Sequence, residues 1–574
     1  MAGTTPAHSS LEAAVPRSPL HATAVALALV AASPPASAAA QAPVPEARVD
    51  SVFADVDGPT TPGCAVSVMR EGATTYEQGY GMANLEHGIP ITPQSVFHVA
   101  SVSKHFTAMA VELLVNDGRV SWDDDVRRWV PEVPDFGTPI SLRHLVHHVS
   151  GIRDQWNLLS MAGWRWEADV VTQHDVLDIT SRQTALNFPP GERYLYSNTG
   201  FTLLAVVVER VSGKTLREFT RERIFAPLGM EATHFHDDHE MIVRNRAWGY
   251  APDPEGLYGL KGSIPDFDVV GATSLFTTVR DLAAWDRNFV TGRVGGSEAL
   301  ARLHQRYVLN SGDTIAYAHG LSHGTYRGLR TVGHGGADAG YRSQFLRFPD
   351  QDLSVAVLCN FPSANPGARA NRVAEAYLDA VMEPRPEPPA VLPTVAVPRE
   401  RLAALAGWYE GELPPELTRI RLEGDTLRAG PGAGAPLRPV GEDRFEVVGP
   451  GLVVTLRPAA GGQPATLEIP GQGRGRRADA WEPGPADLAA FEGVYESDEL
   501  GTAYRLVLEE GRLVARHRKR EDAALEPAFR DTFLLRGAVA RFSRDASGGV
   551  EGFTLSDGRV WNVRFRKGPD RPLP

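Results

Sequence analysis

Apolar positions along this chain change period several times, and each change predicts an element. Cys64-Ala-Val-Ser-Val-Met-Arg-Glu-Gly72 and Thr74-Thr-Tyr-Glu-Gln-Gly-Tyr-Gly81 read as two strands of a hairpin turning at Glu71-Gly72. From 102 to 117 the period becomes helical. Phe106, Met109, Ala110, Leu113 and Leu114 share one face, and Asn116-Asp117-Gly118 stops the run. Arg342–Phe348 and Leu353–Leu358 predict two further strands separated by the turn Pro349-Asp-Gln-Asp352. Strands at both ends of a helix-rich body, from about 50 to 383, imply an α+β domain whose antiparallel sheet is covered by helices.

Beyond this body the pattern breaks. Pro384, Pro386, Pro388, Pro389, Pro393 and Pro398 crowd a short segment that predicts a stiff, extended linker. Short alternating strands follow, with a weak internal repeat. Leu402-Ala-Ala-Leu-Ala-Gly-Trp-Tyr409-Glu returns as Leu488-Ala-Ala-Phe-Glu-Gly-Val-Tyr495-Glu. Each copy leads into paired strands, Thr418–Leu422 with Thr426–Ala429 and Tyr504–Leu508 with Arg512–Arg516. Two small closed antiparallel β-barrels accommodate that pattern. The expected organisation is a leader at 1–40, a catalytic domain at 41–383, a linker at 384–400, and barrels at 401–482 and 487–570.

The leader expectation rests on the apolar run 22–32, preceded by Arg17 and His21 and followed by the small residues Ala36-Ser-Ala-Ala-Ala40. Such a run is too short to span a bilayer and fits a cleavable secretory signal, which implies export to the periplasm or medium. No later stretch is long and apolar enough for a stable span. The net charge of −12 argues against nucleic acid or an anionic membrane as partner and leaves a small molecule or peptide as the expected substrate. The basic run Arg516-His-Arg-Lys-Arg520 is balanced by neighbouring acids and reads as a solvated strand face. Two cysteines, Cys64 and Cys359, are too few for a stapled scaffold. Both sit in strand-like runs and read as small buried hydrophobes, and a disulfide between them stays open.

Three short clusters carry chemistry. In Ser101-Val-Ser-Lys104, a strand-like Val96–Ala100 runs into a helix expected to begin at Ser101. The serine then sits at the positive end of the helix dipole, and Lys104 lies one turn on along the same face. A lysine there can act as a base once burial or a nearby cation makes it neutral. Tyr196-Ser-Asn198 lies in a loop before an apolar helix expected from about Phe201 to Val211, where a phenol can relay a proton and an amide can fix a carbonyl or the lysine. His334-Gly-Gly336-Ala337 lies between the strand-like Leu329–Val332 and the strand from Arg342. Its glycines let a ligand approach the backbone, and the amides of Ala337 and Ser101 can hold an oxyanion.

With these clusters go Ile140-Ser-Leu-Arg-His-Leu-Val-His-His-Val-Ser-Gly-Ile152, Phe225-Ala-Pro-Leu-Gly-Met230 and Ser274-Leu-Phe-Thr-Thr-Val-Arg-Asp-Leu282. Together they resemble the serine β-lactamase and penicillin-recognising enzyme family over about 50–385, in its class C-like branch of D-amino-acid peptidases and esterases. The resemblance implies Ser101 as acylated nucleophile, Lys104 as base and Tyr196 as proton shuttle, with Asn198, His334, Gly336 and Ala337 shaping the substrate edge. It implies no cofactor and no metal. The third motif of β-lactamases usually starts with lysine. His334 in its place implies weaker carboxylate binding and, with two β domains behind, a layout similar to bacterial D-aminopeptidases. The expected activity is hydrolysis of amide or ester bonds through an acyl-serine. A β-lactamase or D,D-carboxypeptidase, or a peptidoglycan-binding protein without turnover, is the alternative.

Two other motifs are set aside. Gly320-Leu-Ser322-His-Gly324 has the spacing of a nucleophile elbow, but Gly324–Gly328 reads as a hairpin turn where that motif needs a helix. Thr233-His-Phe-His-Asp-Asp-His239 lacks helical metal-ligand spacing and reads as a polar surface loop.

Overall fold

A computed structural model describes residues 46–166, 168–385, 392–412, 416–471, 473–570 and 572. The leader, and residues 386–391 of the linker, lie outside the described residues. Strands β1 (Cys64–Arg70) and β2 (Ala73–Tyr80) form the expected hairpin, and helix α1 (Ser103–Asn116) carries the expected apolar face. Helix α2 (Asn198–Ser212) is followed by β3 (Ser322–Tyr326), β4 (Leu329–Asp338), β5 (Tyr341–Phe348), β6 (Leu353–Cys359) and α3 (Pro366–Leu378). The six strands make one antiparallel sheet in the order β3-β4-β5-β6-β1-β2. The first and last segments of the domain therefore meet at its centre, where β1 pairs with β6.

Both faces of this sheet are covered. On one, Val66, Val68, Val355 and Val357 pack with Val373 and Ala374 of α3. On the other, Ala65, Met69, Phe345 and Ala356 join the larger core built around α1 and α2. Alternation along β1 thus sends successive side chains into two separate cores, which is why five of its seven residues are apolar. Cys64 and Cys359 face each other in the β1–β6 register and form a disulfide, both fully buried. The burial expected from sequence is observed, and the pairing that the sequence left open is made.

Two closed eight-stranded antiparallel barrels follow, from Gly407–Glu410 to Gly473–Arg477 and from Gly493–Ser497 to Val560–Gly568. The repeat has a structural meaning. Tyr409 donates its hydroxyl hydrogen to the carbonyl of Leu405, and Tyr495 does the same to Phe491, each at 2.8 Å. In both copies the tyrosine ties the short helix before the barrel to its first strand.

The second barrel shares a core with the catalytic domain. Leu158, Leu159, Val176 and Ile179 pack in one cluster with Leu500, Tyr504 and Leu506. Here the basic run departs from expectation. Arg520 donates to the carbonyl of Trp164 at 2.6 Å, Lys519 sits 4.9 Å from the Trp164 ring centre, and its ammonium is 3.6 Å from Asp169. Lys519 and Arg520 thus hold the catalytic domain, because the Trp164 ring and carbonyl and the Asp169 carboxylate accept their charged heads. The 233–239 segment also differs. His234–Phe235 is a strand paired with Leu275–Thr277, and Thr233 and His236 are buried. Ser322 opens strand β3, so the serine of the elbow-like motif has no helix behind it.

Candidate active site

The site forms where α1 begins. The backbone leaves the short strand Phe97–His98, passes Ala100 at a positive φ of 48°, and enters a 3-10 turn, Ala100–Val102, before α1. Ser101 therefore sits one turn ahead of the α-helix proper, on a tight and strained corner that projects its hydroxyl into a cleft. Ser103 fastens the corner, donating to the Ala100 carbonyl and accepting from the amide of Leu275 at 2.9 Å.

Lys104 is fully buried and has three neighbours. Its Nζ lies 3.1 Å from Ser101 Oγ, 2.9 Å from Asn198 Oδ1 and 2.7 Å from the Ala272 carbonyl. Burial drives its pKa well below that of a free lysine, and the Arg559 cation pushes the same way against Asp154 and Asp338. A neutral amine has two N–H donors and one lone pair. With two carbonyl-type acceptors taking the donors, the lone pair is left for the Ser101 O–H.

Asn198 is the first residue of α2, which starts earlier than the apolar run indicated. Asp154 Oδ2 explains the position, accepting from the Asn198 amide at 2.7 Å and from its Nδ2 at 2.8 Å. That contact fixes the amide so that Oδ1 faces Lys104. Asp154 also caps the helix Gln155–Met161 through the Trp156 amide. Tyr196 lies in the approach to α2, its ring centre 4.8 Å from Lys104 Nζ and its ring tilted against His148 with centres 4.1 Å apart. Its hydroxyl is buried without a well-formed hydrogen bond. Burial raises the phenol well above its usual pKa, and the nearby Ser101 hydroxyl offsets only part of that rise. Burial thus favours the neutral form of both the lysine and the phenol.

His334–Ala337 lies within β4 and not between two strands. Strand β5 pairs with β4 from Val332 to Asp338, whereas β3 reaches only Leu329–Gly333. Past Gly333 the second edge of β4 has no strand among the described residues and borders the cleft. Gly336 is the point of closest approach, since a Cβ there would collide with the Val99 carbonyl beside the Ser101 corner. Ser343 donates to that same carbonyl at 2.7 Å, clamping β5 to the corner as well. His334 is buried, hydrogen-bonded at Nε2 to Tyr317 Oη at 2.9 Å, and its pKa is pulled down to about 4 by burial and then by Lys104. It is uncharged at neutral pH.

Ser101, Tyr196, Asn198, His334, Gly336 and Ala337 all line one cleft of about 1440 Å³, and Lys104 lies beneath Ser101. Among the described residues, Asp238, His239 and Asp268 bring potential metal-ligand atoms within 4.8 Å of one another; His239 already bonds Asp268 at 2.9 Å.

The Beta-lactamase family model matches residues 49–380, more than half of the chain. The chain belongs to the Beta-lactamase family. Within it, similarity extends to a D-aminopeptidase of Gluconobacter oxydans (strain 621H), 29% identical over 470 residues that cover 80% of this chain and 83% of that one. Penicillin-binding protein 4* of Bacillus subtilis (strain 168) is 29% identical over 306 residues, covering 50% of this chain and 66% of that protein. Among solved structures, the octameric penicillin-binding protein homologue from Pyrococcus abyssi matches with a TM-score of 0.54 and 25% identity, over 75% of this chain and 98% of that one. A β-lactamase/transpeptidase-like domain with two barrels behind it is thus the architecture of this member of the family.

Sequence reasoning missed two groups of this Beta-lactamase-family site. Asp154 follows Ser150-Gly-Ile-Arg in a loop with no periodic signal. Arg559 lines the cleft from the last turn of the second barrel, more than 450 positions from Ser101 in the chain. No local pattern marks either.

Proposed function

We propose that this protein is an exported serine hydrolase that cleaves amide bonds, and short ester bonds, of small substrates bearing D-amino acids. The observation that carries the reading is the fully buried Lys104 amine placed 3.1 Å from the Ser101 hydroxyl. Lys104 takes the Ser101 proton as Oγ bonds to the substrate carbonyl carbon. The amides of Ser101 and Ala337 hold the resulting oxyanion. As the C–N or C–O bond breaks, Tyr196 delivers its phenolic proton to the leaving group and is refilled from the Lys104 ammonium. Water then adds to the acyl-serine carbon as Lys104 takes its proton, and Lys104 returns that proton to Ser101 Oγ as the acyl–serine bond breaks.

Similarity to a protein named D-aminopeptidase supports the substrate class. The uncharged His334 sets this third motif apart from one that offers a β-lactam carboxylate a fixed cation. The Cys64–Cys359 disulfide supports export, since such bonds persist in oxidising compartments. Hydrolysis of D- and L-alanine p-nitroanilides, a short-chain p-nitrophenyl ester and a chromogenic cephalosporin by the parent and by Ser101→Ala tests the reading. D-anilide or ester turnover that vanishes in Ser101→Ala is expected. Turnover that survives the substitution overturns it, and dominant cephalosporin turnover makes the protein a β-lactamase instead.

A further inference from the structure

The turn joining the last two strands of the second barrel enters the catalytic cleft. Arg559, at its end, places its guanidinium 4.8 Å from the centre of the Tyr196 ring and Nη1 3.8 Å from Asp154 Oδ2. The turn is held from both sides. Asn157 Nδ2 donates to Asp557 Oδ2 at 3.1 Å, Asn187 Nδ2 donates to the Arg559 carbonyl at 2.8 Å, and Asn187 Oδ1 accepts from the Trp561 amide at 2.8 Å. Arg559 is therefore not a surface side chain that happens to lie near the site. Its backbone is built into the wall.

The guanidinium itself is under-used. Asp154 Oδ2 already accepts two hydrogen bonds from Asn198, and 3.8 Å is too long for a third. Among the described residues the Arg559 side chain makes no hydrogen bond, and 44% of it is exposed toward the cleft. Five N–H donors on a cationic plane thus line the same cleft as the nucleophile, held there by the longer-range attraction of Asp154 and not by hydrogen bonds. The other basic groups around the nucleophile do not offer that charge to a ligand, since Lys104 is buried and committed to its three neighbours and His334 is uncharged. A planar donor fork of this kind matches a carboxylate in two-point contact. It lies over the ring of Tyr196, the residue that hands the leaving group its proton in the reading above.

We propose that Arg559 of the second barrel binds the free carboxylate of the substrate's leaving residue, so that the preferred substrates are short D-amino-acid peptides ending in a carboxylate. The inference rests on the hydrolase reading above. In it, the second barrel supplies the cation that the third motif lacks, and the uncharged His334 does not by itself weaken carboxylate recognition.

The test compares kcat/KM for D-alanyl-D-alanine and for D-alaninamide in the parent, Arg559→Ala, Arg559→Lys and Lys261→Ala. Loss of a hydrogen-bonded charge contact predicts that the dipeptide-to-amide ratio falls about 30-fold in Arg559→Ala, mainly through KM, and that Arg559→Lys restores part of it. An equal loss on both substrates makes Arg559 a support for Tyr196 and overturns the proposal. So does a selective loss in Lys261→Ala, another residue of the cleft lining, with none in Arg559→Ala. If the parent cleaves neither substrate, the hydrolase reading fails on its own. Calorimetric titration of D-alanyl-D-alanine into Ser101→Ala and into Ser101→Ala/Arg559→Ala still decides the present one. Weaker binding in the double variant sustains carboxylate recognition, and equal binding refutes it.

Discussion

Replacing Glu499 with alanine should unlock the second barrel from the catalytic domain. Glu499 Oε2 accepts from Arg153 Nη1 at 2.5 Å and from the Thr184 amide at 3.2 Å, and Oε1 accepts from the Arg564 amide at 3.3 Å. The side chains of Arg153 and Glu499 are only 2% and 4% exposed, so water cannot replace the lost carboxylate. Removing one partner of such a pair costs about 3–5 kcal/mol, because the surviving charge stays buried. Arg153 keeps Gln183 Oε1 at 2.9 Å and the Trp561 carbonyl at 2.8 Å as neutral acceptors, which places the expected loss near 3–4 kcal/mol. Replacing both residues by methionine removes the charge and its partner together and should return stability to within about 1 kcal/mol of the parent. Urea unfolding followed by tryptophan fluorescence, with residual hydrolysis measured in parallel, reads both effects. The first transition should move to lower urea in Glu499→Ala, and activity should fall with it because Arg559 and Asp154 are set by the same interface. A single variant within about 1 kcal/mol of the parent, or a double variant no better than the single, refutes the reasoning.

Tyr196→Phe should slow amide hydrolysis by about 10²–10⁴-fold while a p-nitrophenyl ester, whose leaving group needs no proton, loses far less; equal losses on both rule out proton delivery by Tyr196. The base form of Lys104 is the active one and its pKa is depressed by burial, so activity should fall as pH drops through a value well below that of a free lysine. If Lys104 carries this limb, His334→Gln should leave it in place. Lys104→Arg should abolish turnover, since arginine does not give up its proton; substantial activity in that variant, or a displaced limb in His334→Gln, contradicts the assignment. The Cys64–Cys359 disulfide joins residues 295 positions apart, and its loss in Cys64→Ser/Cys359→Ser should cost about 2–5 kcal/mol in thermal or urea unfolding. Identical unfolding with and without reductant shows that the bond contributes nothing.

The sequence alone determined the elements and most of the chemistry. Spacing of apolar residues defined β1, β2, α1, β5 and β6 because each depends on neighbours within a few positions. The Ser101–Lys104 contact was legible for the same reason, as three residues at a helix start can only fall on one side. The repeated Leu-to-Tyr segments marked both barrels, since each copy carries its own Tyr–carbonyl bond. What lay beyond the sequence depends on which surfaces meet. Arg516–Arg520 carries the composition of a solvated face whether or not Trp164 packs against it. Thr233 and His236 are polar by type and buried only because a neighbouring strand covers them. Cys64 and Cys359 pair only because β1 closes the sheet against β6. Arg559 and Asp154 became parts of the site through docking of the second barrel, a long-range event whose partners carry no local signature. Short-range periodicity encodes the elements, and the free energy of burying distant surfaces together decides the rest.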